Sequence, residues 1–129
     1  MALTIRPLTA ADEAEWRRLW TGYLEFYESA VSEEVYQTTF ARLLDPAHTE
    51  RCCFIADLDG RAVGLVHAIW HAHNWRIEDV CYLQDLYADP DVRGKGIGGR
   101  WPQDGRGPSR HPVCLLDDAG FQHHGAAAI

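Results

Sequence analysis

The chain is poor in several things, and each shortage excludes something. Positive charge is scarce: 12 Lys and Arg face 19 Asp and Glu, for a formal net charge of −7, and Lys95 is the one lysine. A polyanion binder is normally basic, so nucleic acid is not the expected partner. Long apolar runs are missing. Nothing approaches the ~18–20 residues of a membrane span, and the N-terminus lacks a charged region followed by an apolar stretch. A membrane-spanning or secreted protein is therefore not expected, and a cytoplasmic one is. Paired cysteines are missing too. Cys52, Cys53, Cys81 and Cys114 contain no Cys-x-x-Cys spacing, and the adjacent Cys52 and Cys53 suit neither an ordinary chelate nor a bridge. Reduced thiols are the simplest expectation. No internal repeat is visible, and 129 residues make one core but not two.

What is present is periodic up to about Gly99. Leu3 to Pro7 reads as a short strand, at an edge or ending there because of Pro7. Thr9 to Asp12 resembles a helix start, with a hydroxyl to cap orphan N–H groups and acids at the positive end of the dipole. Trp16, Leu19, Trp20, Tyr23, Leu24 and Tyr27 then form one apolar face at 3–4 spacing. Ser32-Glu33-Glu34 opens a second helix with the face Tyr36, Phe40, Leu43, Leu44, which Pro46 ends. Residues 52–57 and 61–70 read as two strands about an Asp59-Gly60 turn. His71 to Glu78 reads as a loop or strand extension. Residues 80–87 are apolar on both faces, which suggests a central strand. Asp89-Pro90-Asp91 stops it.

The segment richest in chemistry is Asp91-Val92-Arg93-Gly94-Lys95-Gly96-Ile97-Gly98. Three glycines at alternate positions let the backbone curl, and a strand before with a helix after would aim several N–H groups into one small volume. Arg93 and Lys95 add charge for a phosphate. On spacing alone a plain glycine-rich turn is as good a reading. The loop is not a Walker A sequence, and its glycine spacing is not the dinucleotide fingerprint.

Joined to the preceding strand, residues 82–98 (Tyr-Leu-Gln-Asp-Leu-Tyr-Ala-Asp-Pro-Asp-Val-Arg-Gly-Lys-Gly-Ile-Gly) resemble motif A of the GCN5-related N-acetyltransferases (GNAT). Arg93, Gly96 and Gly98 match the fixed positions of the family's Gln/Arg-x-x-Gly-x-Gly/Ala pattern. The order strand, two helices, three strands agrees as well, over residues 3–98. The resemblance implies an α/β fold: a mixed, mostly antiparallel sheet flanked by helices, β-α-α-β-β-β-α. The branch it is most similar to acetylates small amines such as diamines or amino acids. It also implies a bulge in the last of these strands, which splays it from a neighbour. Acetyl-CoA would enter there as the donor, with its pantetheine amides on the backbone of Leu86, Tyr87 and Ala88. Its pyrophosphate would sit on N–H groups from Arg93 through Gly94, Lys95, Gly96 and Ile97 to Gly98. A strand N–H would polarise the acetyl carbonyl, and a neutral amine would attack the thioester. A homodimer is compatible with the resemblance.

Two side chains are candidates for managing the amine. Gln84 and Asp85 fall on opposite faces if the strand alternates. Related enzymes often carry an acid at the Gln84 position, and glutamine cannot act as a base, so Asp85 is the better acid/base or ammonium-binding candidate. The alternative for Asp85 is a buried structural carboxylate. Tyr27 and Glu28 invite an acceptor-pocket role, although a core aromatic and a surface acid are the plainer readings. Trp20, Tyr23 and Tyr27 fit a core stripe better than a ligand-stacking one. His67, His71 and His73 suggest a metal, but no Cys or carboxylate completes a recognised pattern, and no metal is expected.

Beyond Gly98 the family pattern stops. Residues 1–99 read as the N-terminal part of an acetyltransferase domain and 100–129 as an irregular tail. Pro102, Gly105, Gly107, Pro108 and Pro112 oppose a helix, and no tyrosine follows Tyr87. Codons permitted for residues 115–129, read one nucleotide downstream, allow a peptide similar to the family's later segment. The expectation is a truncated or frame-shifted acetyltransferase with its C-terminal part incomplete, weakly stable and of little turnover. The alternatives are a non-catalytic remnant that binds CoA weakly or not at all, and a nucleotide-binding module using the same loop.

Overall fold

The structure is a computed structural model and describes residues 2–75 and 77–93. Its elements follow the expected order. Strand β1 (Leu3–Pro7) leads through a 3-10 turn at Ala10–Asp12 into helix α1 (Glu13–Phe26). Helix α2 (Glu33–Leu44) and strands β2 (Arg51–Leu58), β3 (Arg61–His71) and β4 (Val80–Ala88) come next, and a 3-10 turn spans Pro90–Val92. The strands form one antiparallel sheet in the order β1-β2-β3-β4.

Local chemistry sets the boundaries. Pro7 ends β1, where a missing N–H costs no ladder bond. At the start of α1 the expected roles are exchanged. The Asp12 carboxylate accepts from the Thr9 N–H at 2.8 Å and from its hydroxyl at 3.0 Å, while Arg6 adds donors at 2.7 and 2.9 Å. The Ser32 Oγ accepts from the Val35 N–H at 3.3 Å and caps α2 as its sequence suggests. Asp59 and Gly60 both have positive φ, 53° and 88°, which a two-residue hairpin turn requires.

Both helices pack on one sheet face. Trp16, Leu19, Trp20 and Tyr23 of α1 and Phe40 of α2 join Ile55, Leu65 and Tyr87 in one cluster. The opposite face gathers Phe54, Val66, Trp70, Leu83, Leu86 and others into a second buried cluster. The core role expected for Trp20 and Tyr23 is therefore observed. Strand β4 was expected to be central. Among the described residues it pairs on one edge, with β3, and its two apolar faces join these two clusters. Among the described residues, Cys52 and Cys53 are free thiols.

Candidate active site

Strand β4 does not alternate cleanly, and that irregularity builds the site. His67 faces Asp85 across the β3–β4 ladder, but the next residue on β3, Ala68, faces Leu83. Gln84 is the extra residue of a β-bulge, which the resemblance implied. One inserted residue shifts the side-chain phase. Leu83 and Leu86 share the outer cluster although they are three positions apart, while Asp85 and Tyr87 turn toward the helices. The alternation argument for Gln84 and Asp85 therefore fails here, because period two holds only where no residue is added. What separates them is burial: Gln84 is exposed and Asp85 is 7 % exposed.

Asp85 lies at the centre of a buried polar chain. Its Oδ2 is 2.7 Å from His67 Nδ1 and accepts from Trp20 Nε1 at 3.2 Å. The other ring nitrogen, His67 Nε2, accepts from Trp16 Nε1 at 2.9 Å. An indole N–H can only donate, so Nε2 must carry a lone pair. The bonding pattern thus assigns the proton to Nδ1, which donates to the carboxylate. Each member of the chain is positioned by its element. Trp16 and Trp20 are one turn apart on the inward face of α1, and His67 and Asp85 are cross-strand partners beneath them. The indole rings of Trp16 and Trp20 lie 6.0 and 5.3 Å from the imidazole, closing it off from water. Tyr23, one turn further along α1, donates its hydroxyl to the Gln84 carbonyl at 3.2 Å. Burial, and then the nearby Asp85 charge, raise the Tyr23 phenol above its ordinary range.

Past the bulge, β4 is held closely on both sides. An added Cβ at Gly64, which faces Ala88, would lie 2.8 Å from the Tyr87 carbonyl oxygen. Arg93 turns inward: its Nε donates to the Ala88 carbonyl at 2.9 Å, and its guanidinium lies 5.2 Å from the centre of the Tyr87 ring. Its side chain therefore braces the strand end. Arg18 adds a second brace, bonding both Asp89 oxygens at 2.9 and 3.1 Å and the Ala62 carbonyl at 2.9 Å. Gly94, Lys95, Gly96, Ile97 and Gly98 lie outside the described residues, as does the tail at 100–129.

The remaining candidates do not converge on this site. His71 is exposed, and the His73 Nδ1 accepts from the Trp75 N–H at 3.1 Å in the loop, so the three histidines are not brought together. Among the described residues, no group of three His, Cys, Asp or Glu is gathered as a ligand set. Tyr27 packs tilted against Tyr23 and edge-on to Phe26, with ring centres 5.0 Å away in each case, and Glu28 is exposed at φ 55°. A cavity of about 320 Å³ opens between the end of α2 and the start of β2, bordered by Leu43, His48 and Cys52, and has no lining residue from β4.

The sequence marks Asp85 as a candidate but not the groups around it: His67 reads as an ordinary sheet histidine and Trp16 as core. The available signal was a histidine inside an otherwise apolar strand opposite the one acid of another, with two tryptophans four residues apart on a helix.

Comparison with known proteins bears on the same segment. The acetyltransferase (GNAT) family model matches residues 16–100. The D-amino-acid N-acetyltransferase HPA3 of Saccharomyces cerevisiae is 34% identical over 97 residues, covering 74% of this chain and 60% of that protein. Among solved structures, AAC(6')-Iy in complex with the bisubstrate analogue CoA-S-monomethyl-acetylneamine aligns with a TM-score of 0.65 at 20% identity, over 77% of this chain and 65% of its own. A ribosomal-protein-alanine N-acetyltransferase from Brucella melitensis biovar Abortus 2308 aligns with a TM-score of 0.61 at 22% identity and the same coverage. At such identities these two establish likeness of fold. The chain spans less than two thirds of the length of each of these relatives.

Proposed function

The chain belongs to the acetyltransferase (GNAT) family, and from that premise we propose that it transfers an acetyl group from acetyl-CoA to a primary amine of a small molecule in the cytoplasm. The observation that carries this is the bulge at Gln84, with a buried carboxylate beside it and a braced strand end after it. A bulge re-aims backbone groups, and Leu86, Tyr87 and Ala88 follow it on an edge that no described strand pairs. That edge fits the amide-bearing arm of the donor. N–H groups from Arg93 to Gly98 are proposed to hold the pyrophosphate.

In the reaction the amine nitrogen bonds to the thioester carbonyl carbon, the carbon–sulfur bond breaks, the amine loses a proton, and the thiolate gains one. A backbone N–H fixed before the reaction stabilises the oxyanion without reorganising. Asp85 supplies negative charge that draws the acceptor's ammonium group to the site, where it gives one proton to solvent before the neutral amine attacks, and the exposed Gln84 amide orients that acceptor by hydrogen bonds. The same carboxylate accepts from His67 and Trp20, which fixes its orientation.

The test is release of free CoA thiol from acetyl-CoA with a panel of primary amines, including D-amino acids and aminoglycosides, the acceptor classes of similar proteins. Saturable release with one class supports the reading. Donor binding without release by any amine points to the non-catalytic remnant. A folded chain that ignores acetyl-CoA removes the reading.

A further inference from the structure

We propose that His67 is a positioning residue for the donor strand. Trp16 locks it as the Nδ1–H tautomer, and in that form it pins Asp85 and thereby the register of β4 at the Gln84 bulge. The inference rests on the reading of β4 as the acetyl-CoA strand.

The bulge is a place where a strand can slip. Moving the pairing by one residue would pass Gln84 back into the ladder and send Leu86 and Ala88 to the helix face and Tyr87 to the other. Something must hold the irregular register. The side chains of His67 and Asp85 face each other at the first regular pair of β4 after the extra residue, 2.7 Å apart. The neighbouring pairs, Val66 with Leu86 and Ala68 with Leu83, are apolar and belong to the outer cluster.

The imidazole can hold Asp85 only if its proton is on Nδ1. With the proton on Nε2, two lone pairs would face each other at Nδ1 and Oδ2, and the Trp16 N–H would meet a second N–H. The Trp16 bond of 2.9 Å removes that tautomer. Helix α1 therefore sets the strand register through one ring, and Trp20 at 3.2 Å supports the same oxygen. Each group in the chain is at most 8 % exposed, so water is a poor substitute for a lost partner.

The experiment uses the full chain with labelled histidine and two substitutions. An asparagine side-chain N–H falls where Nδ1–H stands and can still reach Asp85. A glutamine amide falls nearer the Nε2 position and cannot. Long-range ¹H–¹⁵N spectra should place the His67 proton on Nδ1. His67→Gln should weaken acetyl-CoA binding about tenfold, the scale set by losing one buried charge-assisted hydrogen bond. His67→Asn should recover most of that affinity at a similar melting temperature. Trp16→Phe, which keeps a ring but no donor, should let the second tautomer appear.

A proton on Nε2, or on both nitrogens, overturns the lock whether or not the donor binds. Equal loss of affinity in His67→Gln and His67→Asn overturns the positioning role. If the folded natural chain does not bind acetyl-CoA, the function proposed above fails and takes the positioning role with it, whatever tautomer is seen.

Discussion

Gly22→Ala separates local propensity from tertiary packing. Gly22 lies inside α1, where alanine is better than glycine by about 1 kcal/mol. Taken by itself, the helix should gain from the change. The structure argues for the other sign. A Cβ at Gly22 would stand 2.5 Å from the Tyr87 hydroxyl oxygen, 2.8 Å from its Cζ and 3.2 Å from its Cε2. Tyr87 cannot simply swing away, because it is 6 % exposed and has the Arg93 guanidinium over its ring. Overpacking a core site of this kind costs roughly 1–3 kcal/mol. The net effect is a loss of about 1 kcal/mol after the propensity gain, which lowers the melting temperature by roughly 2–8 °C for domains of this size range. Thermal unfolding by circular dichroism measures it. The double substitution Gly22→Ala with Tyr87→Phe removes the nearest oxygen and should recover part of the loss, a coupling of at least ~0.5 kcal/mol. A higher melting temperature in Gly22→Ala, or additive single effects, would refute the packing argument.

Three further outcomes follow from the same contacts. Gly64→Ala should weaken acetyl-CoA binding and stability together, because the new Cβ meets the backbone oxygen of Tyr87 at 2.8 Å rather than a side chain that can turn; unchanged calorimetric titration would oppose this. Arg6 beside Asp12 holds that carboxyl below its ordinary value, so the stability it supplies is present above the usual carboxylate range and is lost as pH falls through the folded value. The acid limb of a stability–pH curve should accordingly flatten in Asp12→Asn, and an unchanged limb would count against the assignment. Burial pushes the Cys52 thiol up to about 12 and the Cys53 thiol well above its usual range, so neither should react with iodoacetamide at pH 8 in the native state, whereas both should in urea.

Much of the fold was legible because it is periodic. The 3–4 spacing from Trp16 to Tyr23, the Ser32 cap and the Asp59-Gly60 turn each act over a few residues, and each element stands within a few residues of where the pattern put it. The site was legible only in part. Asp85 could be picked out as an acid in an apolar strand, but its surroundings come from 18 positions away through His67, 65 through Trp20, and 62 to 69 through Tyr23 and Trp16 on the same helix. No local rule connects such positions. The motif marks the Arg93 backbone for the pyrophosphate, and only the folded chain brings its side chain to Ala88 and Tyr87.

The amino-acid order alone determined which segments are helices and strands, where they stop, and that residues 82–98 resemble an acetyltransferase motif. Those properties depend on neighbours along the chain. Tertiary structure alone decided that Gln84 is an extra residue in the ladder, that Asp85 turns to the helices while Gln84 meets solvent, and that the proton of His67 sits on Nδ1. Each of these depends on which groups another element brings within about 3 Å, since hydrogen bonds and steric contacts are too short-ranged to act before the chain is folded.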